Sequence, residues 1–63
     1  ETVTVLLRLP ATAYQLLYRL YGHGKVLHTE FGEEAILVRA EIEKRHLSEC
    51  ASYVVESEEN PSA

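Results

Sequence analysis

Three histidines and one cysteine are the side chains in this 63-residue sequence best suited to metal or nucleophilic chemistry. His23 and His28 would offer two imidazoles to a metal. His23, however, lies between two glycines and His28 in a strand-like run, and no cysteine or acid is spaced to complete a site. A turn histidine and a strand histidine are the plainer reading. His46 follows Lys44 and Arg45, whose charges disfavour a further cation, and no base or nucleophile neighbours it in sequence; it reads as part of a solvated helix face. Cys50 falls on an apolar stripe and reads as a small buried hydrophobe. Glu30, Glu33 and Glu34 crowd a turn, where solvation explains them better than acid–base pairing. Gly22-His23-Gly24 resembles a phosphate loop only superficially, because it follows a helix and precedes a strand, whereas a phosphate site needs a helix N-terminus after the loop. No GxxxxGK[ST] string occurs. These residues assign no catalytic group, cofactor-binding residue or metal ligand, so the fragment reads as a non-enzyme.

Recognition is the remaining chemistry. Tyr14, Tyr18 and Tyr21 recur at helical spacing along one side of a segment that also carries Arg19, with Lys25 just beyond. Tyrosine and arginine are enriched where proteins meet partners, so Tyr14, Tyr18, Arg19 and Lys25 form a candidate surface for docking a partner domain or RNA. The plainer alternative makes the tyrosines the edge of a core.

These groups must be positioned by a small set of elements. In Thr2–Leu9, Val3, Val5 and Leu7 alternate with Thr2, Thr4 and Leu6, the period of a strand with one buried face. Pro10 ends it. Thr12 with Gln15 has the form of a capping box, predicting a helix that starts near Ala11–Ala13 and buries Ala13, Leu16, Leu17 and Leu20. Gly22 and Gly24 are predicted to close that helix through a left-handed residue. Lys25–Phe31 and Ala35–Ile42 read as two strands joined by a hairpin at Gly32-Glu33-Glu34, with Ile36, Val38, Ala40 and Ile42 on one face. Glu43–Ser52 reads as a second helix, from the spacing of Leu47, Cys50, Ala51 and Val54. Tyr53-Val54-Val55 reads equally as the end of that helix or as a short edge strand. The predicted fold class is α+β: a ferredoxin-like β-α-β-β-α(-β) sandwich, an antiparallel sheet with two helices on one face and a right-handed first crossover. Residues 1–55 are predicted to form this domain and residues 56–63 a disordered acidic tail.

Composition narrows the function classes. The sequence is 46% hydrophobic and 25% charged, with six basic and ten acidic side chains and a net charge of −4. That balance argues against a broad phosphate-binding footprint. Glu56, Glu58 and Glu59 carry much of the negative charge. No apolar run reaches the roughly 18 residues of a membrane span, so a soluble protein without a membrane partner is predicted. A lone cysteine fits a reducing cytoplasm. A chain this short buries only about 60% of its unfolded surface, so its core is thin and help from a neighbour is expected. The absence of methionine and the start on strand residues suggest a domain excised from a longer protein.

The segments TVLLRLP, AYQLLYRLYGHGKVLHTEFGEEAILVRAEI and LSECASYVV, together covering residues 2–55, resemble the small C-terminal domain of the HflX family of translational GTPases. That family has a [HR]G-x-VL-x-x-E-[YF] strand and then an EE[GA]I-[LV]-V-[KR]-A strand. Gly24, Val26, Leu27, Glu30, Phe31, Glu33, Glu34, Ile36, Val38, Arg39 and Ala40 fit it, while Ala35 stands where glycine is often found. The resemblance implies an accessory domain of a GTP-binding, magnesium-dependent GTPase that associates with the large ribosomal subunit and helps split or rescue stalled ribosomes. GTP and Mg would then be held by the preceding G domain, so no nucleotide-site residue maps onto this chain. The strand around His28-Thr29-Glu30-Phe31 is also similar to the ferredoxin-like C-terminal domain of the IMPACT/YigZ family, which would make this a regulatory or RNA-associated domain. A third reading is a homodimerisation module that pairs through an open sheet edge.

Overall fold

The computed structural model describes residues 1–59. Their order is β1 (Thr2–Pro10), α1 (Tyr14–His23), β2 (Gly24–Phe31), β3 (Ala35–Glu43), two 3-10 turns (Lys44–Glu49 and Ala51–Tyr53) and β4 (Val54–Glu59). The strands form one antiparallel sheet in the order β2-β3-β1-β4. The chain is therefore α+β, with a four-stranded antiparallel sheet and one α-helix.

Alternation in the sequence sets which side of the sheet is dry. Val3, Val5, Leu7 and Leu9 of β1 and Ile36, Val38, Ala40 and Ile42 of β3 are all at most 2% exposed and point to one face. The long β1–β3 ladder, from Thr2 opposite Glu43 to Pro10 opposite Ala35, brings the two rows side by side. Leu17 and Leu20 of α1 and Cys50 close over them, with Leu16, Val26, Leu47, Tyr53 and Val54 at the margin. Each fully buried Leu or Ile contributes roughly 1.5–3 kcal/mol. Because β1 and β2 each run antiparallel to β3, they are parallel to one another with β3 inserted between them, and α1 makes the crossover.

Several local expectations are corrected. The helix begins at Tyr14 with Ala13 as its N-cap, and no side chain caps it. The Ala13 amide donates to the Pro10 carbonyl at 2.9 Å, closing a turn that places Thr12 one residue before the cap, so the Thr12–Gln15 capping box does not form. No glycine has positive φ. Gly22 is helical, and Gly24 is extended at φ −154°, ψ −166° as the first residue of β2. Gly24 is required for space, since a Cβ there would lie 2.7 Å from both the Glu41 carbonyl oxygen and Ile42 Cγ2.

The second α-helix expected over Glu43–Ser52 is replaced by the two 3-10 turns. Reach explains this. The connection leaves β3 beside Thr2 and must enter β4 beside Leu7, two strands away. Five residues along the sheet and two strand spacings across it make a gap of about 20 Å. The ten residues Lys44–Tyr53 would rise only about 15 Å as one α-helix, whereas the six and three 3-10 residues, with Cys50 between them, extend further per residue at about 2 Å each.

The expected disordered tail is corrected as well. Glu56–Glu59 belong to β4, paired with Val3–Leu6 of β1, and the strand begins at Val54. Backbone pairing to a buried neighbour overrides the poor strand propensity of Glu-Ser-Glu-Glu. Lys44, at the start of the first 3-10 turn, forms an ion pair with Glu59 that ties down the end of β4. Residues 60–63 of the expected tail lie outside the described residues.

Candidate partner-docking surface

The tyrosines of α1 are exposed although the core beneath them is closed: Tyr14 by 56%, Tyr18 by 74% and Tyr21 by 55%. Leu17 and Leu20 fill the buried side of the helix. Spacings of four and three residues align Tyr14, Tyr18 and Tyr21 on one flank. Arg19 projects from the other flank, towards the 3-10 turns. A groove of about 610 Å³ runs there, lined by Tyr14, Gln15, Leu16, Arg19, Glu49 and Tyr53 among others. The fold thus brings Tyr14 and Arg19 to one groove and leaves Tyr18 on the neighbouring flank.

Lys25 does not join them. It is paired in register with Glu41, and the β3 residues on either side of Glu41, Ala40 and Ile42, point into the core. Lys25 and Glu41 therefore stand on the opposite face of the sheet from α1.

Beside the groove lies a polar cluster that was not anticipated from the sequence. His46 is half-buried, its Nδ1 lies 2.9 Å from a carboxylate oxygen of Glu49, and its ring is 4.8 Å from that of His23. His46 is therefore not a solvated helix residue. The hydrogen bond from His46 holds the Glu49 carboxyl below its usual range, helped by the charges of His46, His23 and Arg19 and opposed by partial burial. In a 3-10 turn residues i and i+3 eclipse one another, so the His46-x-x-Glu49 spacing was the available signal. His28 stands on the far face of the sheet, 3.8 Å from Glu30, so the two histidines first considered as a metal pair do not meet.

Cys50 is buried, and its thiol donates to the Leu47 carbonyl at 3.6 Å. Burial, reinforced by the Glu49 charge, pushes its pKa up and keeps it a thiol. That is the opposite of an activated nucleophile. Among the described residues no three His, Cys, Asp or Glu side chains are grouped to hold a metal ion. No helix among them is long and apolar enough to cross a membrane.

The uncovered face of the sheet is mixed. Leu37 is 37% exposed, Arg8 and Arg39 are exposed, and a depression of about 560 Å³ lies between Arg8, Glu30, Phe31, Glu34 and Leu37. Both sheet edges carry features that oppose edge pairing. β4 presents Glu56, Ser57, Glu58 and Glu59, and β2 has Lys25 and a bulge between Val26 and His28. No family model, curated protein or solved structure matches this chain.

Proposed function

We propose that this chain is a non-catalytic, ferredoxin-like accessory domain of an HflX-type GTP-binding protein in the cytoplasm, and that it docks through the outer side of α1. The observation that carries this reading is the exposure of three tyrosines above a core that is complete without them. An amphipathic ring held at the surface by a short rigid helix supplies contact area at little entropic cost. Arg19 adds a charged anchor at the neighbouring groove. The split β-α-β unit supports the ferredoxin-like assignment, with 3-10 turns standing where the second helix would be. The family-like residues also occupy one continuous feature, the β2–β3 hairpin.

On this reading the G domain of the parent binds GTP and Mg, and the present domain contacts that G domain or the large ribosomal subunit. The parent reading frame should encode GxxxxGK[ST] and a guanine-recognition motif upstream of Glu1. The parent protein should then co-sediment with large subunits, and a Tyr18→Ala, Arg19→Ala parent should do so more weakly. An upstream region without a P-loop overturns the GTPase assignment, and unchanged sedimentation by the double variant overturns the docking surface.

A further inference from the structure

Most of β4 is held to the sheet by its backbone. Ser57 and Glu59 stand opposite Val5 and Val3, so they share the covered side of the sheet with two residues that are at most 2% exposed. Apolar side chains suit those two positions, yet one holds a serine, the other a glutamate, and both are exposed. Glu56 and Glu58 stand opposite Leu6 and Thr4 on the uncovered side and are exposed as well. Three carboxylates within four residues repel one another. β4 reaches the core margin at Val54, and the ladder is interrupted just beyond it: Leu7 pairs with Val54 and Leu6 with Glu56, which leaves Val55 out of register and exposed. The far end is held by the ion pair of Glu59 with Lys44, both of whose side chains are largely in solvent. A segment that buries so few side chains belongs to the low end of local stability.

We propose that Glu56–Glu59 is a removable strap, hinged at Val55, and that it covers a strand-accepting edge on β1 at Val3–Leu6. The occupant that fits this edge is an extended antiparallel segment of a partner, with β-branched apolar side chains where Ser57 and Glu59 stand. Either strand offers the edge the same backbone hydrogen bonds, so side chains decide between them. Valines at those two positions would lie beside Val5 and Val3, a cross-strand pairing that stabilises a sheet, and would remove one carboxylate from the run. The resident strand holds the edge because it is tethered, which gives it a high effective concentration. Its charges also blunt the edge against indiscriminate pairing. The site lies at the sheet margin and uses none of the outer side of α1, so it is independent of the docking function proposed above.

Hydrogen exchange and peptide titration of chain 1–63, both followed by NMR, test the two parts. Relative to their intrinsic rates, amides of Glu56–Glu59 should exchange at least about tenfold faster than those of the β1–β3 ladder, with little dependence on urea. A synthetic peptide of residues 54–59 carrying Ser57→Val and Glu59→Val should shift the amide resonances of Val3–Leu6 and Glu56–Glu59, and a scrambled peptide should not. Ser57→Val in the chain itself places a valine beside Val5 and should slow exchange of the strap about threefold. Because the closed strap excludes the peptide, apparent peptide affinity should fall by the same factor. Glu59→Gln removes the ion pair with Lys44 and should move both quantities the other way. Circular dichroism checks that each variant is folded. Exchange of Glu56–Glu59 only through global unfolding overturns the strap. A peptide that leaves Val3–Leu6 unshifted, or an affinity that does not follow the exchange rate across the variants, overturns the accepting edge.

Discussion

Alanine at Gly22 and alanine at Gly24 should shift stability in opposite directions, although the two glycines are only two residues apart. Gly22 lies within α1, and nothing comes within 4 Å of where its Cβ would sit. Alanine there removes unfolded-state freedom and improves helix propensity, a gain of about 0.5–1 kcal/mol. At Gly24 the backbone is extended and any residue could adopt it, so the whole cost is steric. The added carbon would stand 2.7 Å from the Glu41 carbonyl oxygen and from Ile42 Cγ2. The first is strand backbone and the second a core side chain, so neither moves freely, and overpacking of this kind costs about 1–3 kcal/mol. A domain of this size has roughly 3–9 kcal/mol in all, so Gly24→Ala would remove a large share of it. The two variants should differ in melting temperature by about 10–20 °C. Urea unfolding followed by circular dichroism, with m-values compared, measures both. Equal destabilisation by the two alanines would mean that both glycines need left-handed backbone, and a neutral Gly24→Ala would mean that β2 does not approach β3 this closely; either refutes the argument.

Leu7 is fully buried at the centre of β1, so Leu7→Ala should cost about 2–5 kcal/mol and leave much of the chain unfolded at 37 °C, as a loss of amide dispersion in NMR spectra would show. The Cys50 thiol should react with a disulfide reagent at neutral pH only as fast as the domain opens, and Leu7→Ala should accelerate that reaction. The Lys44–Glu59 ion pair raises the pKa of Lys44 and lowers that of Glu59, through their hydrogen bond first and their charges second. Its contribution should therefore be fully present from the usual carboxylate value of 4.5 to the usual lysine value of 10.5. It should fade as pH falls through the lowered Glu59 value or rises through the raised Lys44 value. Glu59→Gln should abolish both flanks and increase hydrogen exchange at the end of β4.

How much of this was legible follows from the range of the forces involved. The alternation of Val3, Val5 and Leu7 and of Ile36, Val38 and Ala40 is a local pattern, and it identifies both central strands and the dry face of each. The apolar stripe of α1 is local too, and Leu17 and Leu20 are buried as their spacing requires. The tyrosines were legible as a helix flank for the same reason. Lys25 was misplaced because its distance in sequence from Tyr21 is short while the register of β2 turns it to the other side of the sheet.

What the sequence by itself determined is the set of segments that must bury one side: two alternating strands and one amphipathic helix. Tertiary structure alone decided the rest. The length of the gap between β3 and β4 turned an apparently helical segment into 3-10 turns. The unpaired edge of β1 drew the acidic run Glu56–Glu59 into a strand. Close approach of β2 to Glu41 and Ile42 explains Gly24. In each case the deciding term is a distance or a hydrogen-bond partner supplied by residues far away in sequence, which no local periodicity encodes.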